Sequence, residues 1–127
     1  MIATTITTSP ARHCSPGCAS NASSPSPVLV EVDHLLRRYT ENESFTTVID
    51  QVRRGTLVIE DLVAADYERA GVLLKTYADL KVGFVDCAVL AVTERLGESK
   101  LATLDHRHFG TMRPRHVEAL ELLPTAS

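Results

Sequence analysis

Asp86 lies inside VGFVDCAVLAV, residues 82–92, with apolar neighbours on both sides. The next charged residue after it is Glu94, a second acid, and no basic residue follows until Arg95. An unpaired carboxylate in apolar surroundings costs on the order of several kcal/mol unless it is protonated, hydrogen-bonded or bound to a cation. Two further acids are placed awkwardly. In VLVEVDHLLRRY, Glu31 falls three residues after Val28 and four before Leu35, on the apolar face of a helix, whereas Asp33 points elsewhere. Asp105 ends the run KLATL and enters a turn.

Each acid has an ordinary explanation. Glu31 can snorkel to solvent or pair with Arg37 or Arg38. Asp86 at a helix start can accept backbone N–H bonds and favours the positive end of the dipole. Asp105 suits an Asx turn. As a set they point to chemistry. In an open α/β sheet, ligands bind beyond the carboxyl ends of the strands. Asp105 stands at such an end, Asp86 opens a helix beside it, and Glu31 lines the same crevice from another helix. Three converging carboxylates repel, and a hard cation relieves the repulsion. Mg²⁺ takes oxygen ligands, keeps several waters and sits with substrate phosphates. Such a centre activates water and neutralises charge at a scissile phosphodiester.

The elements that must position these acids can be read from periodicity. Positions 28, 32, 35, 36 and 39 follow helical spacing behind Ser26 and Pro27, a cap and first turn. SFTTVIDQVRR predicts a second helix ended by Gly55, and TLVIEDL (56–62) a strand. AADYERAGVLLKTYADL is a long helix with Asp66 near its start, and VDCAVLAVTERL another, closed by Gly97. KLATL is a short strand. DHRHFG and Pro114 form a turn, and VEALELL ends in a short strand or edge. Helices alternating with strands predict an α/β domain with a mainly parallel sheet. Only three strands are visible, and none precedes Val28, where such a fold usually opens with an apolar strand.

Residues 1–27, rich in Ser, Thr, Ala and Pro, show no periodicity and read as a low-complexity, disordered segment ahead of a domain spanning 28–127. The 127 residues suit one domain, and 44% hydrophobic content suffices for a core. A net charge of -3 excludes a basic nucleic-acid arm, so RNA would have to be met by local Arg clusters. Aromatic content of 5% without Trp argues against a base-stacking platform. Cys14, Cys18 and Cys87 are too few and odd in number for a disulfide framework, which fits a reducing cytoplasm. No apolar run is long enough to span a membrane, and no signal peptide is visible.

VLVEVDHLLRR, YADLKVGFVDCAVLAVTERLG and LATLDHRHFGTMRP with the terminal ALELLP resemble the VapC-type toxins of the PIN-domain ribonucleases. The resemblance covers residues 26–124, with the motifs in the right order and spacing. It implies a PIN-like α/β/α sandwich and a Mg²⁺- or Mn²⁺-dependent endoribonuclease that cuts RNA and is held inactive by a cognate antitoxin protein. It assigns Glu31, Asp86 and Asp105 as metal-holding, catalytic acids and Thr103 as a hydroxyl residue beside the last of them. One departure is large. The family opens with a central apolar strand ending in a metal-binding aspartate, and this sequence has no acid before Glu31. A reading frame shifted upstream of Pro25 would account for that loss. A fourth acidic position of the family, three residues after the last Asp, is His108 here. The alternative function is an inactive PIN remnant that only binds an antitoxin or self-associates as a homodimer.

Smaller signals remain. Arg107, Arg113 and Arg115 cluster in sequence near the proposed cleft and either steer RNA phosphate or form a solvated basic turn. His106 and His108 are phosphate contacts, a general acid, or polar turn residues. His13, Cys14 and Cys18 make only half of a zinc pattern. Cys87 reads as a small buried apolar residue. Leu62, Tyr67, Leu73, Leu74 and Tyr77 form a core or partner-facing stripe.

Overall fold

A computed structural model of the chain describes residues 4–7, 22–40, 44–103 and 105–123. His13, Cys14 and Cys18 lie outside the described residues, as does most of the segment 1–27. Five strands form one sheet in the order β3-β2-β1-β4-β5. They are β1 (Thr4–Thr7), β2 (Ala22–Pro25), β3 (Leu57–Glu60), β4 (Lys100–Thr103) and β5 (Glu121–Leu123). β2 pairs parallel with β3, and β4 pairs parallel with β5. β1 lies between the two pairs and runs antiparallel to both β2 and β4. Four strands therefore point one way and β1 is reversed among them, so the mixed α/β fold with a mainly parallel sheet agrees with expectation.

The helices are α1 (Ser26–Tyr39), α2 (Phe45–Arg54), α3 (Ala64–Thr76), α4 (Phe84–Leu96) and α5 (His106–Thr111), with a 3₁₀ turn at Ala78–Leu80. Gly55 (φ 76°) and Gly97 (φ 68°) close α2 and α4 in the left-handed conformation that glycine adopts without cost. Pro27 falls in the first turn of α1, where its missing N–H has no partner to lose. Asp66 at the third position of α3 accepts a 3.0 Å hydrogen bond from the Val63 N–H, one half of a capping box.

Two of the five strands, and one helix, depart from the sequence reading. Ala-Ser-Ser-Pro, 22–25, reads as loop by composition, yet Ser23 and Ser24 are buried and Pro25 is the last strand residue before α1. Small side chains suit this place because both α1 and α4 pack on β2. Tertiary context here overrides β-propensity. β2 leads directly into α1 at Ser26. In β1, Thr and Ile are β-branched and compatible with a strand, but four residues within a Ser/Pro-rich stretch carry no visible alternation. The segment expected to be a turn at DHRHFG is α5, whose six residues are too few to show helical periodicity.

The core is centred on α4. Cys87 to Thr93 are seven consecutive buried residues, so this helix is enclosed on every side rather than amphipathic. Val28 of α1, Ala70 and Leu73 of α3, Leu101 of β4, and Phe109 and Met112 at α5 complete the cluster. Two ion pairs fasten α3 to α4. The Arg69 guanidinium donates to both Glu94 carboxylate oxygens, Nε at 2.9 Å and Nη2 at 2.9 Å, and Arg95 Nε donates to Asp66 at 3.1 Å. Arg69 and Glu94 retain only 14% and 10% side-chain exposure. Breaking such a pair from one side leaves an uncompensated charge. Glu94→Ala is expected to destabilise the chain by about 2–4 kcal/mol in urea denaturation, and adding Arg69→Met is expected to recover most of it. A loss under about 0.5 kcal/mol, as for an exposed pair, would show that the clamp is solvated.

Candidate functional site

Asp86 is the third residue of α4, the last before the buried run begins. Helix capping does not explain it: the N-cap position is Gly83, and the helix has no side-chain cap. Asp105, by contrast, does cap. It is the N-cap of α5, and its Oδ1 accepts a 3.1 Å bond from the His108 backbone N–H. The Asp105 N–H in turn donates to Thr103 Oγ1 at 3.0 Å. Thr103 is buried at the end of β4. It thus fixes the backbone from which Asp105 projects. Glu31 is buried on α1, with 8% exposure, although among the described residues no basic side chain is paired with it; Arg37 pairs with Asp33 instead.

The three acids meet in one cleft of about 330 Å³, lined by Glu31, Lys81, Phe84, Asp86, Asp105 and His108, among others. They come from α1, from the first turn of α4, and from the carboxyl end of β4, as the sequence reading required. The imidazole of His108 lies between two of them. Its Nδ1 is 2.9 Å from Asp105 Oδ2 and 3.3 Å from Asp86 Oδ2. Nδ1 is buried and has no hydrogen-bond partner. One donor atom each from Asp86, Asp105 and His108 lie within 4.8 Å of one another.

The cleft strains its own charges. Burial raises Asp86 above the ordinary carboxylate range, and the charge of Asp105 raises it further, while His108 opposes both. Burial, then the charge of Asp86, raises Glu31. Burial and the neighbouring Asp86 push the Cys87 thiol up to about 11, so that it behaves as a small apolar core residue, as expected. The donor set fits a divalent cation: carboxylate oxygens with an imidazole nitrogen that has no hydrogen-bonding partner.

Some sequence expectations need correction. Arg115 does not belong to the acid cleft; it lines a separate depression with Arg69, Glu94 and Arg95 on α3 and α4. Arg107 and Arg113 are exposed and do not line the cleft, and Arg113 uses its backbone N–H to bond the Tyr77 hydroxyl at 2.8 Å. The basic side chain that does line it is Lys81, which the sequence reading passed over. Lys81 adopts φ 54°, the single non-glycine residue with positive φ among those described. Its only sequence signal is the Lys-Val-Gly junction ahead of α4. Tyr67, in a stripe read as core or partner-facing, is exposed and stacks on Phe84 at the lip of the cleft, ring centroids 6.1 Å apart. Leu73 is buried as expected, and Leu62, Leu74 and Tyr77 pack against the core.

The chain is 28% identical over 87 residues to Ribonuclease VapC26 of Mycobacterium tuberculosis (strain ATCC 25618 / H37Rv). The matched region is 68% of this chain and 64% of that protein, so the match spans slightly less than two thirds of the relative's length. The similarity supports the VapC-type resemblance carried by the motifs. No protein-family model matches the chain. Among the described residues, no helix is long and apolar enough to cross a membrane.

Because Asp86 and Glu31 are both raised, the folded chain holds protons that the unfolded chain releases. Metal-free stability therefore falls as pH rises through the interval from the ordinary carboxylate values to the raised ones. Asp86→Asn removes this penalty. In the presence of EDTA at pH 7 its Tm is expected to exceed that of the parent by roughly 2–5 °C, with the difference vanishing below about pH 4. A lower Tm at pH 7 would show that Asp86 is compensated within the fold.

Proposed function

We propose that the protein is a metal-dependent endoribonuclease toxin of the VapC type, hydrolysing RNA phosphodiester bonds at the acid cleft, with an antitoxin protein as its partner. The observation that carries this reading is the meeting of Glu31, Asp86 and Asp105, from three separate elements, in one pocket. Similarity to a ribonuclease of the VapC type supports the reaction class. Asp86, Asp105 and His108 would hold a Mg²⁺ or Mn²⁺ ion, with Glu31 beside them. When bound, that ion supplies an activated water and charge neutralisation at the scissile phosphate.

The residues of the chain have separable parts in this scheme. Asp105 presents Oδ2 to the cleft because its Oδ1 is occupied by the α5 cap. Thr103 acts through Asp105, holding its backbone rather than touching substrate. Glu31, raised by burial and by Asp86, is placed to hold and return a proton near the attacking water. Lys81 offers the positive charge that an RNA phosphate meets on entering. Phe84, stacked on Tyr67 at the lip, offers a face for one base. Arg107 and Arg113 guide the strand from outside the cleft.

The direct experiment is Mn²⁺- and Mg²⁺-dependent cleavage of a mixed RNA pool by the purified chain. Asp86→Asn and Asp105→Asn are expected to slow cleavage by at least about 100-fold, the loss that several kcal/mol of charge stabilisation represents. A chain that is folded by circular dichroism and cleaves nothing with either metal would favour the inactive, partner-binding remnant. Lys81 permits a second check. Lys81→Gly relieves a left-handed φ that costs a side chain about 1 kcal/mol, so thermal stability is expected to rise while RNA affinity and its salt dependence fall. Unchanged RNA affinity would remove Lys81 from the substrate path.

A further inference from the structure

His108 gives the cleft a donor of a different kind from its acids. Its orientation is set by the fold. Asp105 caps α5 through Oδ1, which draws the backbone N–H of His108 to 3.1 Å and turns the ring toward Oδ2 of the same carboxylate. The spacing of three residues puts both side chains on one face of the first turn. Nδ1 then lies 2.9 Å from Asp105 Oδ2 and 3.3 Å from Asp86 Oδ2. Two donors in adjacent octahedral positions with bonds of about 2.1 Å lie about 3 Å apart. Both separations are compatible with donors sharing one ion, and one donor atom each from Asp86, Asp105 and His108 lie within 4.8 Å of one another.

A second explanation is that His108 is protonated and serves as a built-in countercharge. An imidazolium in that role donates its N–H to one oxygen, whereas Nδ1, though within ion-pair reach of both carboxylates, has no hydrogen-bond partner. We infer that His108 is a nitrogen ligand that makes this centre select a first-row transition ion, of the manganese-to-zinc class, over magnesium. The inference rests on the proposed cation site and specifies its ion. Mg²⁺ favours an all-oxygen octahedron and gives up its waters reluctantly, whereas imidazole is a preferred ligand of the transition ions. A carboxylate at position 108 would leave an oxygen site suited to Mg²⁺. The imidazole is a softer donor than a carboxylate, and that difference favours the transition ion; the charge it removes weakens all divalent ions alike.

The test is calorimetric titration of the metal-free full chain with MnCl₂, MgCl₂ and ZnCl₂, joined to electron spin-echo spectroscopy of the Mn²⁺-loaded protein. The parent is expected to bind Mn²⁺ and Zn²⁺ at least about 10-fold more tightly than Mg²⁺, and His108→Asp to reduce that preference by about 10-fold. The spin echo of the parent is expected to carry nitrogen hyperfine modulation that His108→Asp abolishes. The parent spectrum needs no variant, so a misfolded substitution does not obscure the answer. Divalent ions bound without nitrogen modulation, or with a preference that His108→Asp leaves unchanged, would overturn the role of His108 and leave the cation site standing. A folded parent that binds none of the three ions would overturn both.

Discussion

The enclosure of α4 governs the rest of the molecule. A helix buried on every side from Cys87 to Thr93 cannot rotate or slide without exposing apolar surface. Its first turn is therefore held at the mouth of the cleft, and Asp86 with it. The Arg69–Glu94 and Arg95–Asp66 pairs fasten its far end to α3. Rigid packing of this kind lets a small domain keep charges together that repel one another. The raised carboxyls of Glu31 and Asp86 are the mark of that constraint. The folded chain tolerates their proximity because the elements carrying them have nowhere else to go.

β1 bears on the missing first acid. The family resemblance calls for a central strand ending in an aspartate at the cleft. The central place is filled by Thr4–Thr7, reversed between β2 and β4, and the register puts Thr4 beside Thr103. The reversed strand brings its amino end, not its carboxyl end, toward the side where Asp105 emerges. It completes the hydrogen bonding of the sheet without adding a carboxylate. His108 stands where the resemblance expects a fourth acid, and its Nδ1 lies beside both Asp86 and Asp105.

Much of this was legible in the sequence, for identifiable reasons. Long helices with clear stops at Gly55 and Gly97 announce themselves by period and cap. Glu31, Asp86 and Asp105 stood out because a carboxylate among apolar neighbours needs a reason. β2 was hidden because Ser and Pro signal loops, and only the approach of α1 and α4 makes small buried residues the right choice there. α5 was too short to show a period, although Asp105 and His108 carry the three-residue spacing of a cap and its first turn. Arg115 was misplaced because closeness along the chain does not fix the direction of a side chain in an irregular segment. Lys81 was missed because its significance lies in a backbone angle that no composition reveals.

The proposed cation site requires Asp86 at the start of α4 and Asp105 just beyond β4 to share one ion, with Glu31 of α1 beside them. Anomalous diffraction from crystals of the full chain grown with MnCl₂ tests it directly. The account predicts a manganese peak in the acid cleft, within bonding distance of both Asp86 and Asp105. A well-diffracting crystal with manganese bound elsewhere, and none between these two carboxylates, would contradict it.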